Sequence, residues 1–305
     1  MVHHARHDYI ELSYVYVGAL LLVVFLSLVA MPVNSSRFGV IVPKTSTQEV
    51  DLYTSTAFDG VQVRAEAYVV YDLVDKKVVA AKNAEKRLPL ASLTKVMTGM
   101  TALIHHDKKT QIMVDSKSIE GSYDLGLKKG QVWKLDELLK YTLVFSSNDG
   151  AYIIADSFGG RKKFVEQMNL DSTLLGLGLT FTDPAGLDIG ESIGGYGTAL
   201  DIAKLFAAAR KKYPEVFDAT TKVRATATAS TGKVSGIPNT NQDIENLFGA
   251  EASKTGFTDS AGGNLGVIVD VTLGHPTAIV VLGSTKEERF TDMETLYKAL
   301  LASVK

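Results

Sequence analysis

The segment RLPLASLTKVMTGM, residues 87–100, places a serine and a lysine three positions apart, among apolar residues where a helix is expected to begin. Ser92 at a helix start could serve as a plain N-cap, because a serine hydroxyl accepts hydrogen bonds from free backbone N–H groups. Residues three apart also share one face of a helix, so the amine of Lys95 can face the Ser92 hydroxyl. The segment therefore predicts either a capped helix start or a nucleophile with its base, and S-x-x-K alone is too short to decide.

Two more short motifs favour the second interpretation. SSN, residues 146–148, lies where one predicted helix ends and the next begins, and KTG, residues 254–256, opens a predicted strand. The order S-x-x-K, S-x-N, K-T-G matches the active-site triplet of penicillin-recognising serine enzymes. Each motif occurs often by chance, but the ordered trio is specific.

The residue types suit acyl transfer. A serine hydroxyl is a weak nucleophile at neutral pH, so a base must take its proton. A lysine is a base only when neutral, and burial beside a second positive charge, such as that of Lys254, favours the neutral amine. Ser146 can relay a proton toward a leaving amine, and Asn148 can hydrogen-bond a substrate carbonyl. Thr255 offers a hydroxyl to a terminal carboxylate, and Gly256 lets a peptide approach the strand closely.

Three longer segments contain these motifs, and a fourth lies between the second and third of them. They are AYVVYDLVDKKVVAAKNAEKRLPLASLTKVMTGMTAL (67–103), LLKYTLVFSSNDGAYIIAD (138–156), FTDPAGLD (181–188) and SKTGFTDSAGGNLGVIV (253–269). They resemble the serine D-alanyl-D-alanine carboxypeptidases of bacterial cell-wall metabolism, which are low-molecular-mass penicillin-binding proteins. The resemblance covers residues 63–305, nearly all of the chain after its apolar N-terminal segment.

The resemblance implies an α+β fold of the penicillin-binding and β-lactamase type. It implies peptidoglycan stem peptides as substrate, β-lactams as covalent inhibitors, and neither cofactor nor metal. Ser92 would form the acyl-enzyme, Lys95 would act as general base, and the backbone N–H groups of Ser92 and Phe257 would form the oxyanion hole. Ser146 would complete the catalytic group, and the substrate-binding residues would be Asn148, Lys254, Thr255, Gly256, Phe257 and Arg289. Arg289, in KEERF, would bind the substrate carboxylate.

Two features depart from the family pattern. Ser253 stands before the KTG lysine, where an apolar residue is more usual. The larger members of the family carry a second β-domain and a C-terminal amphipathic anchor, whereas residues 257–305 suffice only for two strands and a helix. We therefore expect this protein to be anchored at its N-terminus.

Hydrophobic periodicity predicts a compatible fold. Two β-rich runs in residues 65–83 flank a turn and predict a hairpin. Helical spacing appears in TKVMTGMTALIHH (94–106), KLDELLKYTLVF (134–145), NDGAYIIADSF (148–158), RKKFVEQMNLDSTLLGL (161–177) and TALDIAKLFAAARKKY (198–213). Strands return in GNLGVIVDVTL (263–273) and TAIVVLGST (277–285), before a closing helix over residues 287–304. This order predicts a mainly antiparallel sheet from the two ends of the chain, flanked by helices and interrupted by a helical insertion.

The N-terminus predicts a membrane anchor. Residues 12–36 contain no charged residue, and YVYVGALLLVVFLSLVAMPV, residues 14–33, is about the length that crosses a bilayer as a helix. A buried core helix would show a polar face, and a cleaved signal peptide would have a shorter apolar region and a cleavage site. We expect a tail and transmembrane anchor over residues 1–33, a Ser/Thr-rich linker over 34–60 and a catalytic domain over 61–305. The flanking positive charges do not orient the span, so the implied peptidoglycan substrate places the catalytic domain outside the cytoplasm.

Composition excludes several functions. The chain has 305 residues, 46% hydrophobic and 22% charged, with a formal net charge of −2, and no basic surplus that would indicate nucleic acid as a partner. It has no cysteine, which excludes disulfides and thiolate chemistry. No histidine pair has the spacing of a zinc peptidase. His3, His4 and His7 in the tail could bind a metal, but we expect no metal at the site.

Three alternatives remain open. A DD-endopeptidase would use the same chemistry on peptidoglycan cross-links. A class A β-lactamase would need a glutamate that holds a water. Glu166 falls beside the polar face of its predicted helix, and Glu191 lacks the expected asparagine shortly after it. A non-catalytic sensor or scaffold would bind β-lactams without turnover but would need a signalling partner, and residues 1–13 are too few to form a domain.

Overall fold

The computed structural model describes Tyr53, residues 55–115 and residues 126–304. Its strands are β1 (Ala67–Asp72), β2 (Lys77–Lys82), β3 (Leu88–Pro89), β4 (Gln111–Met113), β5 (Val132–Lys134), β6 (Thr180–Phe181), β7 (Gly195–Gly197), β8 (Arg224–Ala229), β9 (Gly232–Pro238), β10 (Ala250–Thr258), β11 (Gly262–Val269) and β12 (Thr277–Ser284). Its helices are α1 (Thr94–His105), α2 (Leu135–Val144), α3 (Asn148–Ser157), α4 (Arg161–Leu174), α5 (Ala199–Lys212), α6 (Pro214–Phe217) and α7 (Glu288–Ser303).

The central sheet is built from both ends of the described chain. Its strand order is β10-β11-β12-β1-β2, and every neighbouring pair is antiparallel. β1 lies beside β12, with Ala67 opposite Leu282 and Asp72 opposite Thr277. Two smaller sheets have the orders β3-β7-β6 and β4-β5-β8-β9. The predicted α+β class, with a mainly antiparallel sheet and a helical insertion, is therefore confirmed.

The sheet is the middle of three layers. Successive side chains of β1 point to opposite faces, as they must in a strand. Val69 belongs to a core cluster shared with α1 and α5, where Met97 and Phe206 are buried. Val70 belongs to a second cluster, which contains Leu296 of α7. Each fully buried apolar side chain contributes about 1.5–3 kcal/mol, so the two clusters fix the helices against both faces of the sheet.

One hairpin was not predicted. β8 pairs with β9, and the side chains of β8 alternate between exposed and buried. Its buried positions are all alanines, in RATATA. Alanine is a weak strand former, so the alternation produces little signal in a hydrophobicity pattern. The predicted hairpin over residues 65–83, by contrast, is confirmed as β1 and β2.

The predicted transmembrane anchor lies outside the described residues. Among the residues that the structure describes, no helix has the length and apolar character needed to cross a bilayer. The described end of the predicted linker lies on the folded body. Tyr53 forms a β-bridge with Val304, and both Tyr53 and Phe58 are buried in the cluster beneath α7. The predicted division into anchor, linker and catalytic domain stays a prediction.

Candidate active site

Ser92 lies in a tight turn that immediately precedes α1. Residues Ala91–Leu93 form one turn of 3-10 helix, and the N-cap of α1 is Leu93, which makes no side-chain capping bond. Ser92 is therefore not the helix cap. Ala91 has a φ of 48°, a left-handed conformation that is uncommon for residues other than glycine. Such strained residues concentrate at functional sites, which favours the interpretation of Ser92 as a nucleophile.

Lys95 is fully buried and contacts the Ser92 hydroxyl. Its Nζ lies 2.8 Å from Ser92 Oγ, 2.7 Å from Asn148 Oδ1 and 2.7 Å from the carbonyl oxygen of Ala185. A neutral lysine amine has two N–H groups and one lone pair. Asn148 and Ala185 can take the two N–H groups, which leaves the lone pair directed at the hydroxyl of Ser92.

The Ala185 carbonyl belongs to a loop whose role the sequence did not reveal. Asp183 Oδ1 accepts from the backbone N of Ala185 at 2.9 Å and of Leu187 at 3.0 Å, which folds the loop tightly. Gly186 has a φ of 76°, and a Cβ there would lie 2.0 Å from the carbonyl oxygen of Ala91. The loop is thus pressed against the nucleophile turn. The Asp-Pro and Gly signals in FTDPAGLD indicate a turn but not what it contacts.

In the SSN motif, the middle serine caps a helix, and the other two residues contribute side chains to the site. Ser147, not Ser146, is the N-cap of α3, and its Oγ accepts from the backbone N of Gly150 at 2.7 Å. Ser146 has a φ of 62° and joins α2 to α3, as the predicted helix junction requires. Because Ser147 caps α3, the side chains of its two neighbours are available for the site. Ser146 contacts Lys254, and Asn148 contacts Lys95.

Lys254 on β10 contacts the second serine. Its Nζ donates to Ser146 Oγ at 2.7 Å and to the carbonyl oxygen of Thr255 at 2.8 Å. Burial is the main cause that holds the pKa of Lys254 well below that of an ordinary lysine, and the positive charges of Lys95 and Arg289 lower it further. The hydroxyl of Thr255 is 2.7 Å from the hydroxyl of Thr240. Sequence reasoning missed Thr240, because an isolated threonine carries no motif.

Three further predicted residues lie along the end of β10. A Cβ on Gly256 would be 2.9 Å from the carbonyl oxygen of Leu90 and 3.2 Å from the backbone N of Ser92, so the glycine lets β10 approach the nucleophile turn. Arg289 is buried at the start of α7, and its Nη1 donates to the carbonyl oxygen of Gly256 at 2.7 Å. Burial lowers the pKa of Arg289. Phe257 is 39% exposed.

The glutamates considered for a β-lactamase have a different setting. Glu166 lies on the exposed side of α4, where Phe164 and Met168 face inward as predicted. Glu191 is also exposed. Ser253, the departure from the family pattern, is buried and accepts from Asn241 Nδ2 at 2.8 Å. The buried hydroxyl at this position therefore has a hydrogen-bond partner.

The structure thus joins the three motifs into one site, and comparison with known proteins agrees with it. Residues 53–286 match the model of peptidase family S11, described as D-alanyl-D-alanine carboxypeptidase. The chain belongs to this family. The predicted resemblance to the serine D-alanyl-D-alanine carboxypeptidases is therefore confirmed, and the chain is a serine DD-peptidase by family.

Relatives within the D-alanyl-D-alanine carboxypeptidase family carry two activity names. A D-alanyl-D-alanine endopeptidase of Escherichia coli is 30% identical over 245 residues, which cover 77% of this chain and 76% of that protein. The D-alanyl-D-alanine carboxypeptidase DacC of the same organism is 31% identical over 268 residues, which cover 80% of this chain and 64% of that protein. The family match alone therefore does not separate the two activities.

Solved structures of the same type share the fold. The D-alanyl-D-alanine carboxypeptidase of Mycobacterium tuberculosis has a TM-score of 0.72 and 26% identity, over 79% of this chain and 92% of that chain. Penicillin-binding protein D2 of Listeria monocytogenes, in its ampicillin-bound form, has a TM-score of 0.66 and 27% identity, over 79% of this chain and 98% of that chain. The predicted penicillin-binding fold is confirmed.

Proposed function

We propose that this protein is a membrane-anchored serine DD-peptidase that removes the terminal D-alanine from peptidoglycan stem peptides through an acyl-enzyme on Ser92. The observation that carries this proposal is the 2.8 Å contact between Lys95 Nζ and Ser92 Oγ, with Lys95 buried and its amine held by Asn148 and Ala185. A fixed amine at this distance is within reach of the proton that it must take.

The reaction divides into acylation and deacylation. Neutral Lys95 takes the hydroxyl proton as Ser92 Oγ attacks the carbonyl carbon of the penultimate D-alanine. The oxyanion that forms accepts hydrogen bonds from the backbone N–H groups of Ser92 and Phe257. When the C–N bond breaks, Ser146 gives its hydroxyl proton to the nitrogen of the leaving D-alanine and receives in return the proton that Lys95 had taken, so both residues recover their starting states. Water then attacks the ester, which releases the shortened peptide and restores the Ser92 hydroxyl.

The cationic side of the site suits a peptide with a free terminal carboxylate. Lys254 and Arg289 bring two basic groups to the end of β10, beside the hydroxyl of Thr255. An incoming carboxylate favours the protonated form of a nearby lysine, so substrate binding would itself charge Lys254. The carboxylate of a β-lactam would bind in the same way, which makes β-lactams covalent inhibitors that acylate Ser92.

A DD-endopeptidase is the second candidate. The E. coli endopeptidase aligns with this chain about as well as the carboxypeptidases do. Both activities cleave a peptide bond that follows a D-alanine, and they differ in the group that departs. The residues around Ser92 serve either reaction, so the choice depends on the size of leaving group that the site admits.

We propose further that the catalytic domain lies outside the cytoplasm of a bacterial cell, held by a single N-terminal span. The uncharged segment over residues 14–33 supports a span. A peptidoglycan substrate supports the side, because peptidoglycan lies beyond the membrane.

The test uses the purified full-length protein with three substrates: a stem pentapeptide, a cross-linked peptide dimer and penicillin. We expect repeated release of D-alanine from the pentapeptide and a persistent penicilloyl adduct on Ser92, because no glutamate in the described site activates water for the bulky ester. Ser92→Ala should lose both activities while Ser157→Ala, an exposed serine at the end of α3, keeps them.

Each other outcome identifies a different function. Preferred cleavage of the dimer would make the protein an endopeptidase. Rapid turnover of penicillin that Glu166→Gln or Glu191→Gln abolishes would make it a β-lactamase. A stable adduct without cleavage of any peptide would favour a sensor or scaffold.

A further inference from the structure

A second cluster of chemically active side chains lies at the opposite end of the central sheet. Asp72 ends β1, Asp75 lies in the turn after it, and His275 lies in the loop before β12. One ligand atom from each of these residues lies within 4.8 Å of the others. Asp72 pairs with Thr277, the first residue of β12. Ser284 is at the other end of β12, the end that is separated from the candidate active site by β11. The cluster is therefore separate from Ser92 and its partners.

Two buried atoms of this cluster make no hydrogen bond among the described residues. Asp72 is 1% exposed, and its Oδ1 accepts from the backbone N of Val74 at 2.7 Å and of Asp75 at 2.8 Å. Its other oxygen, Oδ2, has no hydrogen-bond partner among the described residues, and neither has Nδ1 of His275. A buried carboxylate oxygen without a partner is strongly unfavourable, so this pair indicates a ligand that both atoms share.

The separation of the two atoms indicates the kind of ligand. His275 Nδ1 and Asp72 Oδ2 are 3.6 Å apart, which is longer than the roughly 2.7–3.2 Å of an N–H···O hydrogen bond. Two ligands that each lie about 2.0–2.2 Å from one tetrahedral metal ion are separated by about 3.3–3.6 Å. The distance between the two atoms therefore suits metal coordination better than a direct hydrogen bond.

We propose that Asp72 Oδ2, His275 Nδ1 and a carboxylate oxygen of Asp75 bind one divalent transition-metal ion. The donor set contains imidazole and carboxylate without thiolate, which suits Zn²⁺ and disfavours Mg²⁺ and Ca²⁺. Asp75 is exposed, so the fourth position is open to water. The ion would join the turn after β1 to the loop before β12, beside Tyr53, whose hydroxyl is 3.0 Å from that of Thr277. Its role would be structural, because it would tie these two connections to each other.

The test measures zinc bound to the full-length protein after treatment with a chelator and dialysis against Zn²⁺. His3, His4 and His7 in the tail are a second possible binding place, so every variant also carries glutamine at these three positions. In this background we expect one equivalent of Zn²⁺. His275→Gln and Asp72→Asn should remove it, and Asp75→Asn should weaken zinc affinity at least about tenfold. Zn²⁺ should raise the melting temperature of the background protein but not that of His275→Gln.

A matched histidine provides the control. His105 also faces a buried aspartate, but its Nε2 lies 2.9 Å and 3.0 Å from the two carboxylate oxygens of Asp171, so the pair is satisfied by hydrogen bonds. His105→Gln should keep the bound zinc. Penicillin labelling of Ser92 checks the folding of each variant, independently of zinc. Three results would each overturn the proposal: no bound zinc in the background protein, equal loss of zinc in His105→Gln, or a preference for Ca²⁺ or Mg²⁺. The first result would mean that His275 and Asp72 form only an ion pair with each other.

Discussion

Lys95 and Lys254 lie in one site but contact different serines. Lys95 reaches Ser92, and Lys254 reaches Ser146. Only the first contact places an amine on the candidate nucleophile, whereas Lys254 lies on β10 beside Thr255, where a substrate carboxylate would bind. This geometry agrees with the predicted division between a base and a binding residue, although the roles themselves stay predictions.

Exchange of each lysine for arginine tests that division. A guanidinium stays protonated near neutral pH, so Lys95→Arg keeps the charge but removes the base. We expect acylation of Ser92 by a fluorescent penicillin to fall by about 10²–10⁴-fold. Lys254→Arg keeps a cation for the carboxylate and should retain much more of the rate. Equal and mild losses in the two variants would rule out the division, and the exposed Lys162→Arg provides a control.

The burial of Lys254 also predicts how stability changes with pH. Because its pKa in the folded protein lies well below the ordinary 10.5, the unfolded chain binds more protons between the two values. The free energy of unfolding should therefore rise with pH across this window, with the full destabilisation present below the folded-state pKa. Lys254→Met cannot titrate and buries no charge, so it should be more stable than the wild type near pH 7.

Urea unfolding of both proteins at about pH 7 and about pH 10 measures this effect. The difference in the free energy of unfolding in favour of Lys254→Met should be smaller at the higher pH, because the buried lysine destabilises the wild type less there. An advantage of the same size at both values would show that the difference arises from packing and not from the charge.

Arg289 should affect substrate binding more than chemistry. It holds the Gly256 carbonyl through Nη1, and its Nε is buried without a hydrogen-bond partner among the described residues. If it binds the substrate carboxylate, Arg289→Ala should raise KM by about 10–100-fold, because a hydrogen bond to a charged group contributes about 1.5–3 kcal/mol. Values of kcat should change little. A peptide with a C-terminal amide should be insensitive to the change, and an equal rise in KM for the amide would refute carboxylate binding.

At the scale of elements, the site depends on how three short connections meet. The turn before α1, the junction of α2 and α3, and the loop over residues 183–187 each contain a residue with positive φ: Ala91, Ser146 and Gly186. Strain of about 1–3 kcal/mol at a non-glycine residue persists only where its surroundings enforce it. Here the surroundings are the contacts among these connections.

Gly186 tests the contact between the loop and the nucleophile turn. In Gly186→Ala the added Cβ would clash with the Ala91 carbonyl oxygen, and we expect a loss of about 1–3 kcal/mol in stability together with at least tenfold slower acylation. Gly190→Ala is the matched control, because Gly190 also has positive φ, at 61°, but has no atom within 4 Å of the added Cβ. It should lose about 1 kcal/mol of stability through backbone strain alone and keep its acylation rate. Equal acylation rates in the two variants would contradict a role for the contact.

Elements were predictable where the signal is local. α1 to α5 follow from helical spacing, and β1, β2, β11 and β12 follow from apolar runs. The hairpin of β8 and β9 was missed because alanine carries its buried face. The loop that contacts Lys95 was not predicted as part of the site. It contributes a backbone carbonyl, and every residue has one, so no residue type in the sequence indicates this contact.

At the scale of the whole molecule, topology is open to a direct test. Protease added to intact spheroplasts should digest the chain after about residue 33, where the predicted span ends. The digestion should leave a membrane-bound fragment detectable with an antibody against the tail. Complete protection of the catalytic domain, with the membrane verified as sealed by a cytoplasmic marker, would overturn the proposed location.

The overall architecture could be predicted from the sequence, but the contacts between distant segments could not. An antiparallel sheet from strands at the two ends of the described chain followed from the order of strands and helices, and the three motifs predicted residues that the structure brings together. Contacts such as that of Gly256 with the nucleophile turn depend on how β10 crosses the start of α1. Such a crossing results from the packing of both core clusters, and no single segment encodes it.

The pairing of β1 with β12 has a consequence for the chain while it is being synthesised. β1 leaves the ribosome long before β12, its neighbour in the sheet. Until then an apolar strand edge has no partner and is exposed to aggregation. Lys254 and Arg289 are also late in the chain, so a nascent molecule holds Ser92 and Lys95 without the groups that complete their pocket. A chain that stops short of β12 therefore lacks both a neighbour for β1 and the complete candidate site.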